Sequence, residues 1–293
     1  MRLLTYERDG GARLGLLAGD RVIDAADADA DAALPPDMLA FIEQGDDALD
    51  RARKVIADPA ALGRATPVAG VRLLAPIPRP ARNIVCVGLN YAEHASESNV
   101  TMGIPEHAVY FTKPPSTVIG PEALVPLHAN VSRRVDWEVE LVVVIGRRGR
   151  DIPEEQAIDY VFGYTVGNDV TARDLQARHQ QWYKGKGLDG FCPLGPWIVT
   201  KDELRDPQDL HLSLRVNGET KQDAHTSDMI FGVAKLIAVW SLGMTLEPGD
   251  LLMTGTPSGV GFARKPPEYL QAGDVMEAEI DGIGLLRNAM AAD

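Results

Sequence analysis

The stretch Asp136-Trp137-Glu138-Val139-Glu140-Leu141-Val142-Val143-Val144-Ile145-Gly146 carries two glutamates, one residue apart, at the head of an unbroken apolar run. Alternate residues of a strand face the same way, so Glu138 and Glu140 project side by side. The run 141–145 is apolar on both faces, which predicts a strand covered on both sides. Two adjacent carboxylates in such a strand repel each other and lose hydration, at a cost of roughly several kcal/mol per ion. Either a positive partner compensates, a divalent cation with oxygen ligands being the simplest, or the strand is half exposed with its polar face in water.

With 293 residues, 45% of them hydrophobic, the chain can bury a large core and suits one big domain with a smaller attachment. A formal net charge of -13 disfavours nucleic acid and anionic membrane surfaces as partners, since both need a basic patch. Cys86 and Cys192 sit in apolar settings and form no disulfide or metal pattern. The first ten residues, MRLLTYERDG, are charged too early for a signal-peptide core, and no apolar run approaches transmembrane length. The expectation is a soluble, cytoplasmic protein.

Residues 1–24 read as β, with turns at Asp9-Gly10-Gly11 and Ala18-Gly19-Asp20. Asp27, Asp29 and Asp31 have the first spacings of a calcium loop, but Ala32 and Met38 stand where such a loop needs Gly and Glu, so the stretch reads as a solvated loop. Residues 36–58 predict one or two amphipathic helices. Residues 59–80, rich in Ala, Gly and Pro, read as a linker, with a boundary near residue 70 between a small N-terminal domain (1–70) and a second domain (71–293). Beyond it the signals are mostly β, at 83–88, 109–111, 137–146, 160–168 and 251–254. One helix is predicted over 227–242, with Ser227 as N-cap, Ile230, Val233, Ile237 and Trp240 as a core stripe, and Gly243 as the stop. The class is α+β, mostly β.

Three other places could carry chemistry. Asp169 ends the apolar run 160–167, where a carboxylate either faces a cleft or starts the next turn. His94 and Glu97 are three apart, which on a helical turn puts them on one face: a tautomer-fixing pair suited to a general base, or two polar residues on a surface helix. Lys184 and Lys186 lie in a glycine-rich loop without the G-x-x-x-x-G-K-[ST] spacing of an NTPase. The loop Thr254-Gly255-Thr256-Pro257-Ser258-Gly259-Val260-Gly261 is neither G-x-S-x-G nor G-x-G-x-x-G; its glycines suit close backbone approach to a ligand. No H-E-x-x-H is present, which removes the common zinc hydrolase pattern.

In order, Val85-Cys-Val-Gly-Leu-Asn-Tyr-Ala-Glu-His94, Phe111-Thr-Lys-Pro114, Asp136-Trp-Glu-Val-Glu140, Gly167-Asn-Asp-Val-Thr-Ala-Arg-Asp174, Phe191-Cys-Pro-Leu-Gly-Pro196 and Gly249 to Gly261 resemble the fumarylacetoacetate hydrolase family, in its subgroup of small acylpyruvases and oxaloacetate decarboxylases. The resemblance covers about residues 80–285. It implies a catalytic domain built as a mixed β-sandwich roll, in a homodimer. It also implies Mg²⁺ (or Mn²⁺, with Ca²⁺ a further candidate) on Glu138, Glu140 and Asp169, with Asn90 where the founding hydrolase has a fourth carboxylate. His94 and Glu97 become the base pair, with Glu97 on a lid at 95–107. Lys186, Gln176, Thr256 and Gly255 become the substrate contacts. Lys113 falls in a family motif without an assigned role.

A 2-keto acid can chelate such a metal, which then acts as a Lewis acid toward a developing enolate, while Lys186 adds a second positive charge. An acylpyruvate or related 1,3-diketo acid would undergo C–C hydrolysis by a water activated at His94. Oxaloacetate would lose CO₂, and an unsaturated hydroxy-diacid or oxaloacetate would tautomerise by proton shuttling alone. Hydrolysis is the leading expectation. Two non-catalytic alternatives are a binding protein on the same scaffold and a structural calcium site on a β domain.

Overall fold

The computed structural model describes residues 1–27, 33–97, 105–204 and 206–292. Most of the acidic stretch read as a solvated loop (28–32) and the middle of the expected lid (98–104) lie outside them.

The run at 141–145 is the reason for the architecture. The strand Val139–Ile145 is buried at every position. Val139, Leu141, Val143 and Ile145 feed one core, together with Leu212, Leu214, Ala278, Ile280 and Leu286. Val142 and Val144 feed another, with Met38, Phe41, Ile42, Ile84 and Met253. A strand with a core on each side has no solvent face, which is why its sequence shows no alternation. Glu140 has the parity of Val142 and Val144.

That strand pairs antiparallel with Val161–Asn168 and with Leu251–Met253. Ile84–Gly88 joins parallel to Leu251–Met253, and Val109–Lys113 closes the edge. On the other side come Cys192–Thr200 and then Arg2–Arg8, Gly11–Ala18 and Arg21–Asp24. The large sheet is therefore continuous across the boundary drawn near residue 70, with Leu3 opposite Ile198. A second sheet of five strands, Glu219–His225, His211–Val216, Val275–Ile280, Gly284–Met290 and Leu124–Val125, covers one face of the first. The chain is α+β and mostly β, as expected.

The helix Met38–Ala57 spans the range anticipated for one or two helices and is kinked at Gly45, whose φ of 57 is left-handed. The supposed linker contains a helix, Pro59–Arg64, capped by the Asp58 side chain. The helix predicted over 227–242 is shorter: it runs Val233–Ser241, with Gly232 rather than Ser227 as N-cap. Asn90 explains the difference. Its carbonyl accepts from Ile230 N (2.7 Å), and its side chain accepts from Phe231 N (2.8 Å) and donates to Phe231 O (3.0 Å), two groups that a helix begun at Ser227 would need for its own ladder. Gln208 Oε1 then accepts from Val233 N (2.6 Å), doing the work of a cap. No helix among the described residues is long and apolar enough to cross a membrane.

Candidate active site and metal centre

The site is built at an interruption in one strand pair, where Val139–Ile145 and Val161–Asn168 give way to the short pair Val135–Asp136 and Thr171–Ala172. Glu138 immediately precedes Val139–Ile145, and Asp169 immediately follows Val161–Asn168. Because these strands pair with Val139 opposite Asn168, the two carboxylates meet. Asp169 N donates to Glu138 O (2.9 Å) and Asn168 Oδ1 accepts from Glu138 N (2.9 Å), which locks the junction. Glu138, Glu140 and Asp169 each offer an oxygen, all within 4.8 Å of one another, and all three residues are buried.

Three cations answer them. Lys186 Nζ donates to Glu138 Oε2 (2.7 Å) and Asp169 Oδ2 (2.8 Å). Arg173 Nη1 reaches Glu138 Oε1 at 2.7 Å. Lys113 Nζ, wholly buried, reaches Asp169 Oδ1 at 2.5 Å. Burial pushes the Glu138 carboxyl up, but Lys186 and Arg173 outweigh it and bring the group down to about 2. Glu140 differs. Its described hydrogen bond is from Gly255 N (2.8 Å), and burial, then the charges of Asp169 and Glu138, hold its carboxyl well above the usual range. Lys186 moves the other way: burial lowers it, but Asp169 and Glu138 raise it further, so it remains a cation.

This arrangement fits a divalent cation. Three buried carboxylate oxygens converge, the donors are hard, and among the described residues Glu140 has no ion pair such as Glu138 and Asp169 make. Asn90, standing where a fourth carboxylate was considered, is spent on Phe231 and on Thr254 O (2.8 Å).

A cavity of about 270 Å³ opens beside Glu138, and its polar lining is His94, Arg173, Gln176, Lys186 and Thr256. Val87, Leu89, Phe111, Trp182 and Phe262 are its apolar lining, with Lys186 Nζ 5.1 Å from the centroid of the Phe111 ring. Gly88 is required there: a Cβ would stand 2.2 Å from the Trp182 ring. His94 Nδ1 is 2.9 Å from Glu97 Oε1 on the helix Ala92–Glu97, so the i,i+3 spacing does bring the pair together. Gly259 N donates to both Glu97 oxygens (3.1 Å each), anchoring the carboxylate on the 254–261 loop. Gly255, expected at the substrate, gives its amide to Glu140, and its φ of 99 with Asn90 Cβ 2.8 Å from a built Cβ demands glycine.

Sequence reasoning assigned no role to Lys113 and passed over Asp136 and Arg173. Asp136 Oδ1 accepts from Gly261 N (2.7 Å), and its Oδ2 accepts from Phe262 N (3.0 Å) and Arg173 Nε (2.8 Å). Arg173 also lies over the Phe262 ring, 4.4 Å from its centroid. The available signal was that Asp136 and Arg173 both stood inside quoted motifs, beside carboxylates that needed cations.

Residues 83–291 match the model of the fumarylacetoacetate (FAA) hydrolase C-terminal family. The chain is 51% identical over 218 residues to oxaloacetate tautomerase YisK of Bacillus subtilis, covering 74% of this chain and 72% of that protein. A solved fumarylacetoacetate hydrolase from psychrophilic Exiguobacterium antarcticum superposes with a TM-score of 0.85 at 41% identity, over 100% of both chains. A maleylpyruvate hydrolase from Sphingobium sp. SYK-6, solved with manganese(II) and pyruvate, gives a TM-score of 0.78 at 32% identity, over 99% of both chains. The carboxylate cluster thus stands on the scaffold that the six sequence motifs anticipated, and this chain belongs to the fumarylacetoacetate hydrolase family.

Proposed function

We propose that this enzyme is a Mg²⁺- or Mn²⁺-dependent tautomerase that interconverts the enol and keto forms of oxaloacetate. The observation that carries the reading is the His94–Glu97 pair beside a cavity it shares with Lys186 and Glu138. A 1,3-proton shift needs one group that holds a proton between carbon and oxygen, and cations that keep the oxygen's charge low; it needs no attacking water. The relative from Bacillus subtilis carries the same activity in its name. This moves the emphasis from hydrolysis, the leading expectation of the sequence, to its tautomerase alternative.

Glu138, Glu140 and Asp169 would hold the cation. Bound there, it would withdraw electron density from the substrate's keto oxygen and acidify the adjacent C–H. The rest belongs to the chain. With Nδ1–H donated to Glu97, the neutral His94 ring has its basic lone pair on Nε2, where it takes the enol proton and returns it to carbon. Lys186, kept cationic by its neighbours, offsets charge on the enolate oxygen. Gln176 and Thr256 orient the carboxylate from the cavity wall. The cavity lies just under the range of about 300–1,000 Å³ usual for drug-sized ligands, which suits a small acid.

One observation favours a second reading. The apolar side chains of Phe111, Trp182 and Phe262 in the cavity wall could pack on an acyl chain, and hydrolysis of an acylpyruvate would use the same His94 to activate water. An assay panel separates the two. Decay of enol-oxaloacetate absorbance with Mg²⁺ is expected to be fast, with slower release of pyruvate from oxaloacetate or from acylpyruvates. Rapid acylpyruvate cleavage without enol-oxaloacetate turnover would replace the tautomerase reading with the hydrolase.

A further inference from the structure

Gln222 lies in the strand Glu219–His225 of the second sheet and is 1% exposed. Its amide bridges the two parts of the site. Oε1 accepts from Val139 N at 2.9 Å, between the two glutamates. Nε2 donates to Thr256 Oγ1 at 2.8 Å and to Pro257 O at 2.9 Å, in the loop that borders the cavity.

The backbone partners decide which way this amide faces. Val139 N–H can only donate, so the amide oxygen must be on its side. Pro257 O can only accept, so the NH₂ must be on the other. Both Nε2 hydrogens are then spent, and Thr256 Oγ1 is obliged to accept one of them. A hydroxyl has a single proton. That of Thr256 must go elsewhere, and among the described residues it has no hydrogen-bond acceptor. Thr256 lines the cavity beside Lys186 and Arg173.

We infer that Gln222 is a positioning residue that fixes Thr256 as a hydrogen-bond donor toward substrate, so that the site selects an acceptor oxygen, ionised carboxylate or keto, at that point. The inference rests on the 2-keto acid reading of the cavity. A ligand presenting a hydroxyl or amine proton there would meet a second proton and leave a buried polar group unpaired. The amide also ties the glutamate-bearing strand to the loop, since one side chain sets both Val139 and Pro257.

A double-mutant cycle tests this, with Gln222→Met, Thr256→Val and the double variant, each read in two ways: kcat and KM for enol-oxaloacetate with Mg²⁺, and calorimetric affinity for oxalate with Mg²⁺. Each single variant should lose roughly ten- to a hundredfold in kcat/KM and in oxalate affinity, as expected for a hydrogen bond to a charged group. The double variant should be no worse than Thr256→Val, and Thr256→Ser should retain most of the wild-type value. Gln222→Glu is the second variant. Its carboxylate accepts from both Val139 N and Thr256, which reverses the hydroxyl, so it should behave like Thr256→Val. Losses that multiply in the double variant, or wild-type oxalate affinity in Gln222→Glu, would overturn the inference. Absent tautomerase activity with a non-multiplying oxalate cycle would remove the proposed reaction and leave Gln222 in its role.

Discussion

Lys186 Nζ lies 2.7 Å from Glu138 Oε2, with 3% and 4% of the two side chains exposed. The ammonium occupies two of the three carboxylates that a divalent cation would use, since it also reaches Asp169. It therefore both competes with the cation and complements it. Lys186→Met should leave Mg²⁺ affinity equal or higher in calorimetry, because a competing charge is gone. Turnover should fall by about 10²–10³-fold, the scale of losing one oriented donor to a developing oxyanion. Loss of cation binding together with activity would show that Lys186 serves only to hold the site's shape.

Glu140 sets a pH dependence with a definite sign. A carboxyl held above its ordinary value of 4.5 binds its proton more tightly in the folded chain than in the unfolded one. Metal-free protein therefore loses stability as pH climbs past that ordinary value. Glu140→Gln removes the penalty. Without metal it should melt higher than the wild type at pH 8, with the difference vanishing below about pH 4, where the carboxyl is protonated in both states. It should also lose the stabilisation that added Mg²⁺ gives the wild type. Equal melting curves at pH 8 in chelator would mean that Glu140 carries no such strain.

His94→Ala should slow enol-oxaloacetate turnover by roughly 10²–10⁴-fold, the usual scale for removing a general base. Glu97→Gln should cost less, because it leaves the ring in place while weakening its hold on the tautomer. Oxalate affinity, measured with Mg²⁺, should change little in either. A comparable collapse of oxalate binding would reassign the pair to substrate binding.

Asn90→Ala should be destabilising by about 2–5 kcal/mol in chemical denaturation. It strands Phe231 N, Phe231 O and Thr254 O, and an unsatisfied buried group costs about 1–3 kcal/mol. A shift under about 0.5 kcal/mol would show that water replaces the amide.

The residues of the carboxylate cluster left local signals, each with an ordinary structural alternative, and only the resemblance to the family joined them into one site. Glu138 and Glu140 follow the two-residue period of a strand, Asp169 closes an apolar run, and His94 and Glu97 follow the helical spacing. The partners of those groups were not legible, because they come from far along the chain. Lys113 meets Asp169 across 56 residues and Gln222 meets Val139 across 83. The same cause shortened the helix predicted over 227–242: the side chain that holds Phe231 out of it belongs to Asn90, 141 residues earlier. Nor could composition show that strands from the first 24 residues pair into the large sheet, since a pairing such as Leu3 with Ile198 leaves no local trace.

The central claim is that three buried carboxylates hold a divalent cation that tautomerisation requires. Its most direct test is the first-order decay of enol-oxaloacetate absorbance, followed with chelator-treated wild type, the same protein after Mg²⁺ is restored, and Glu140→Ala. The account predicts decay at the uncatalysed rate in chelator, recovery with Mg²⁺, and no recovery in Glu140→Ala. Full turnover in chelator, or by Glu140→Ala, would contradict it.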